Sequence, residues 1–222
     1  MTDFQILVAH AAKLALLALI AGIAWRGRAR LCWSFAVYAL AIFLGNVLVT
    51  LWPARFFTPS FWVLKQGAYD ILKMAVALEL AWRVFETFPG ARRTARLALL
   101  ALLTVSTITL AVLTPPPTYF YLWEWQSGIA TAALWLLTAT ALLVVWYQVP
   151  VHEWQRAIML GLVPYLLVVV TTLDLLRRHG WDPLRVTVGL LDSAAYLAVL
   201  LFWNGIAWRR EPAPATPAGG RA

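Results

Sequence analysis

Apolar runs of about 20 residues follow one another along almost the whole chain, separated by short stretches that hold most of the arginines and prolines. A run of that length is what an α-helix, rising 1.5 Å per residue, needs to cross roughly 30 Å of hydrocarbon. None of the runs alternates apolar and polar residues with the period of two that a barrel strand requires. The pattern predicts an all-α integral membrane protein, a bundle of seven transmembrane helices in the lipid bilayer. Composition agrees: 62% of the 222 residues are hydrophobic and 13% are charged, and a water-soluble fold of this size cannot bury that much apolar surface. The formal charge of +8 does not point to nucleic acid, because the basic residues lie in short runs between apolar blocks rather than on a soluble basic face.

The first span is expected from about Phe4 to Trp25. No basic residue precedes it, so it reads as a retained helix rather than a cleaved signal. The second runs from about Leu31 to Trp52 and the third from about Phe61 to Phe88, before Pro89-Gly90. The fourth, about Thr94 to Leu113, stops at Pro115-Pro116-Pro117, which cannot continue a helix. The fifth covers about Trp123 to Tyr147. The sixth covers about Glu153 to Leu176, with Pro164 inside it as a kink, and the seventh about Leu184 to Trp208. Residues 1–210 thus form one seven-helix domain, and 211–222, rich in Pro, Ala and Gly, read as a disordered cytoplasmic tail.

Charge orients the bundle. With seven spans, one side carries Arg26, Arg28, Arg30, Arg83, Arg92, Arg93, Arg96, Arg156, Arg209, Arg210 and Arg221, and the other only Arg55, Lys65, Arg177, Arg178 and Arg185. The richer side is assigned to the cytoplasm. This predicts an outside N-terminus, a cytoplasmic C-terminus and a cytoplasmic membrane of bacterial type. The pentapeptide Gly-Ile-Ala-Trp-Arg occurs at 22–26 and again at 205–209, and Ala81-Trp82-Arg83 closes the third span. All three place an aromatic and a snorkelling cation at a cytoplasmic helix end, as interfacial anchors do. Gly67 to Asp70 and Gly189 to Asp192 share a Gly-x-x-Asp spacing, so spans one to three and five to seven read either as parallel repeats or as similarly anchored helices.

Ionisable groups inside hydrocarbon cost at least about 2.5 kcal/mol each, so they should face the bundle interior and pair. Lys13, Asp70, Lys73 and Asp192 stand out. At 1.5 Å per residue all four lie roughly 12 to 18 Å below the outer helix ends, so one polar layer with two charges of each sign is expected. On the third span Gln66, Tyr69, Asp70 and Lys73 fall on one face; on the seventh, Gly189, Asp192, Tyr196 and Trp203 do, with Ser193 at the edge. Asn46, in the outer half of the second span, and His10, one turn above Lys13, would complete an outward-facing pocket between spans one, two, three and seven. The same set admits a neutral hydrogen-bonded network that only fixes helix register. Glu79 and Arg83, one turn apart, read as a structural pair.

Other chemistries lack their residues. The lone Cys32 and three scattered histidines support no metal or thiol site and no cofactor, and no HExxH, Gly-x-Ser-x-Gly, P-loop or dinucleotide pattern occurs. The seven-helix, N-out layout resembles that of rhodopsins and receptor-type proteins, and a three-one-three arrangement resembles that of sugar-efflux transporters. The seventh span has no lysine for a retinal Schiff base, however, and the sugar transporters' Pro-Gln signature is missing. The resemblance is one of architecture, which does not fix function. The expected function is a sensory or receptor-like module that takes a small ligand or ion from outside and passes the response to a cytoplasmic partner at the Arg-rich loops. Alternatives are an ion- or proton-coupled transporter using Asp70 and Asp192, and an assembly subunit of a membrane complex.

Overall fold

The computed structural model describes residues 3–86, 119–179 and 185–210. Among these the fold is all-helical: α1 (Asp3–Trp25), α2 (Trp33–Leu51), a four-residue α3 (Pro53–Phe56), α4 (Pro59–Glu86), α5 (Tyr119–Trp146), α6 (Glu153–His179) and α7 (Arg185–Ala207). The predicted fourth span and the predicted tail lie outside the described residues. Five helices, α1, α2, α5, α6 and α7, are long and apolar enough to cross a membrane, which identifies a membrane protein. The α4 helix is as long as α5, but Lys65, Asp70, Lys73, Glu79 and Arg83 punctuate it.

Local chemistry sets the helix ends. Gly27, at φ 63°, takes the left-handed turn that ends α1, and a short 3-10 turn (Arg28–Leu31) follows. The second predicted span is thereby trimmed to a start at Trp33. The first α2 amides, those of Trp33 and Ser34, donate to the Glu79 carboxylate at 3.1 and 2.8 Å, so a side chain 45 positions away serves as the N-cap. Pro53 sits at the start of α3, where its missing N–H costs nothing. His152 Nδ1 accepts from the Trp154 amide at 3.1 Å and caps α6.

The six long helices close a ring: α1 packs on α2, α2 on α4, α4 on α5, α5 on α6, α6 on α7, and α7 back on α1. Contacts at one end fix their directions. Arg26 and Arg28 donate to the backbone oxygens of Trp208 and Arg209, Arg83 to that of Arg30, and Gln155 to that of Leu31. The C-terminal ends of α1, α4 and α7 therefore meet the N-terminal ends of α2 and α6 at an arginine-rich end. The short connection from Trp146 to Glu153 brings the end of α5 there too.

The ring interior is apolar through this half. Leu16, Leu19, Phe35, Leu80, Leu137, Trp154, Leu162 and Trp203 are at most 1–2% exposed. Within α5, Ala133, Leu137, Thr140 and Val144 recur at helical spacing on the buried face. The outer faces are apolar as well: Leu14, Leu17, Leu44, Leu64, Ile71, Leu160 and Leu201 are exposed, as lipid contact requires. Most exposed tryptophans cluster at the two ends, with Trp135 alone near the middle of α5. Trp25, Trp33, Trp146 and Trp208 lie at the arginine-rich end, and Trp52, Phe57 and Trp62 at the far end. Trp33 and Trp52 are 19 residues apart on or beside α2, about 28 Å along the helix, close to the thickness of the hydrocarbon layer.

Candidate functional site

In the half of the ring opposite the arginine-rich end, the apolar packing gives way to a partly open cavity of about 280 Å³. Its wall includes Lys13 from α1, Asn46 from α2, Gln66, Tyr69 and Lys73 from α4, and Asp192, Ser193 and Tyr196 from α7. Helical spacing puts Gln66, Tyr69, Lys73, Asp192 and Tyr196 on inner faces with Ser193 at the edge, and depth alone puts Lys13 and Asn46 at this level. The α6 helix also reaches the cavity, through Tyr165, and α2 contributes Tyr38 as well. Small residues on α1, Ala9 and Ala12, leave the room.

Two of the expected residues stand elsewhere. Asp70 is buried at 2% exposure beside the cavity rather than in its wall, and holds Lys73: Lys73 Nζ donates to Asp70 Oδ1 at 2.7 Å. This i, i+3 pair keeps both charges compensated inside the protein. His10 is exposed and does not line the cavity. Three positions before Lys13 is a rotation of about 60° around the helix, enough to carry His10 out of the seam.

The groups in the wall are unequally satisfied. Lys13 Nζ donates to Thr50 Oγ1 at 2.9 Å, and Thr50 in turn donates to the Asn46 backbone oxygen at 2.7 Å. Tyr69 Oη spans to the Ala41 and Ile42 carbonyls at 3.4 and 3.3 Å, across the close approach that Gly45 allows between α2 and α4. A side chain at Gly45 would occupy the place of the Tyr69 hydroxyl. The Tyr196 hydroxyl, by contrast, is buried and has no hydrogen-bond partner among the described residues. No ion pair joins Lys13 to Asp192, although both face one small space.

Below the cavity, aromatic rings shut the way to the arginine-rich end. The Tyr165 and Tyr196 rings lie 5.8 Å apart, and the Tyr38 ring leads down to Phe35 at 6.3 Å. Phe35 meets Trp203 and Trp154 edge-on at 4.8 and 5.6 Å. Trp203 Nε1 donates to the Ala157 carbonyl at 3.0 Å, which ties α7 to α6 at this level.

At the arginine-rich end the Glu79 carboxylate receives Ser34 Oγ at 2.6 Å, the two α2 amides, and the Arg83 guanidinium at 2.7 Å. The expected Glu79–Arg83 pair is present, and its larger task is to cap α2. Among the described residues no group of three or more His, Cys, Asp or Glu could hold a metal ion. Tyr38 and Tyr165 escaped the sequence reading because tyrosine in an apolar helix looks like core; the one available signal was Tyr165's place next to Pro164. No protein-family model matches the chain, and neither a curated protein nor a solved structure does.

Proposed function

We propose that this chain is a small receptor-like module of seven transmembrane helices, N-terminus outside, whose pocket takes a small polar ligand from the outer side. The observation that carries this reading is a cavity with charges of both signs that ends on a closed aromatic floor. A conducting path would need polar groups continuing beneath it, and Phe35, Trp154 and Trp203 stand there instead. The orientation rests on the arginine count. The seventh crossing rests on the sequence, where the apolar run from about Thr94 to Leu113 is long enough to span; in keeping with it, α4 finishes at the arginine-rich end and α5 starts at the opposite one. Output in this reading leaves through the laced helix ends around Glu79 and Arg28, which a cytoplasmic partner can read.

A second reading, a transporter, draws on Pro164. It removes one backbone hydrogen bond from α6 next to the pocket residue Tyr165 and so offers a hinge beside the site. Cysteine accessibility separates the two. In a Cys32→Ser background, cysteines at Asn46 and Ser193 should react with a membrane-impermeant thiol reagent from outside intact cells. A cysteine at Ala157 should react from neither side. Reaction at Ser193 from the cytoplasmic side would sink the receptor reading in favour of alternating access, and no reaction at Asn46 or Ser193 would sink the pocket itself.

A further inference from the structure

The charges of the pocket constrain what fits it. Lys13, Lys73 and Asp192 face the space, and Asp70 stands behind Lys73. Counted together, two cations and two carboxylates make a site of net zero charge. They are not paired off evenly: Lys73 has Asp70, Lys13 has only the Thr50 hydroxyl, and Asp192 makes no hydrogen bond or ion pair with any described residue. An ammonium carries three donors, so one contact each to Thr50 and Asp70 leaves Lys13 and Lys73 donors for a further acceptor. Asp192 stands in the cavity wall on α7, and the Tyr196 ring lines the same wall with its hydroxyl buried and without a partner among the described residues. Asp192 is half-buried, and a charged group drawn that far out of water inside an apolar bundle calls for a partner.

From this we infer that the ligand is a small zwitterion, with its carboxylate or phosphate on Lys13 and Lys73 and its ammonium on Asp192. The inference rests on the reading of the cavity as a ligand pocket and names its chemistry. A simple anion would leave Asp192 uncompensated, and a simple cation would meet two lysines. A molecule carrying both charges satisfies both walls and keeps the site neutral, which matters where the dielectric is low. A volume of about 280 Å³ is at the small end of ligand pockets, suited to a free amino acid or to the phosphoethanolamine headgroup of a lipid rather than to anything larger.

The test is thermal unfolding of the purified full chain in detergent, followed by tryptophan fluorescence. The probes are L-alanine, 4-aminobutyrate and glycerophosphoethanolamine, with propionate and ethylammonium as single-charge controls. At least one zwitterion should raise Tm saturably, by about 2–4 °C, with neither control doing so. Lys13→Met and Asp192→Asn should each raise the half-saturating concentration of that zwitterion at least tenfold. A response to glycerophosphoethanolamine without one to either amino acid keeps the zwitterion and assigns it to a lipid headgroup. A response to propionate or ethylammonium equal to that of the zwitterions overturns the inference and leaves the pocket standing. Silence from all five probes, or an Asp192→Asn protein that responds as the parent does, overturns it too. The cysteine accessibility of Asn46 and Ser193 then decides the fate of the pocket separately.

Discussion

The Trp203 indole lies over Gly161, in the space that a Cβ at Gly161 would need, and donates to the carbonyl of Ala157 one turn earlier on the same helix. Glycine at 161 is thus what lets α6 and α7 approach at the aromatic floor. Gly161→Ala should force the ring aside and cost about 1–3 kcal/mol. At Gly128 a Cβ meets open space, so Gly128→Ala should be neutral or stabilising by up to about 1 kcal/mol. Opposite signs for the two substitutions in a detergent thermal melt are the expected result; equal effects would mean that the floor is not packed as described.

Cys32, between the 3-10 turn and α2, gives a chemical readout at the arginine-rich end. Its thiol is pushed up to about 12, first by burial and then by the negative charge of Glu79, whose Oε2 is 3.6 Å from the sulfur. The thiolate is the reactive species, and at pH 8 almost none is present. A maleimide should therefore modify the folded protein far more slowly than a free thiol and react fully once the protein is unfolded. Rapid modification of folded protein at pH 8 would contradict the burial of this turn.

What the sequence made legible and what it hid follow physical lines. The lengths of the five apolar helices were readable because hydrocarbon thickness fixes them, and Asp70 with Lys73 because charge inside an apolar run demands a partner. Inner faces of α4 and α7 followed from the 100° step per residue, which places Gln66, Tyr69, Lys73, Asp192, Ser193 and Tyr196 together. Relationships across helices were hidden. That Glu79 caps α2 depends on how α2 and α4 sit side by side, and the sequence offered only its neighbour Arg83. The Lys13–Thr50 bond and the inward turn of Tyr38 are likewise set by packing. The four-residue α3 is too short to carry a periodic signal.

Topology is open to a direct check. With the arginine-rich end in the cytoplasm, a reporter fused after Trp208 should be active only in its cytoplasmic form. A truncation fused after Phe57, at the opposite end of the bundle, should be active only in its exported form. The reverse pattern would invert the bundle and turn the pocket toward the cytoplasm.

The pair at the edge of the pocket separates a working site from a scaffold. Asp70 and Lys73 are 2% and 3% exposed and 2.7 Å apart, so Asp70→Asn leaves a buried cation short of its partner and should cost about 3–5 kcal/mol. Removing both charges, Asp70→Asn with Lys73→Met, should restore most of that stability, because an uncharged pair carries no desolvation penalty. Stability alone cannot distinguish the two readings. If the charges only hold α4 in place, the double variant behaves like the parent in every assay, including the Tm response to zwitterions. If Lys73 also serves the pocket, the double variant folds yet responds at least tenfold more weakly, since a neutral side chain cannot take the anionic end of a ligand. The measurements are melts of the parent, both single variants and the double variant, each with and without the probe. A double variant that is both stable and fully responsive would remove Lys73 from the site and leave Lys13 as its anion-binding group.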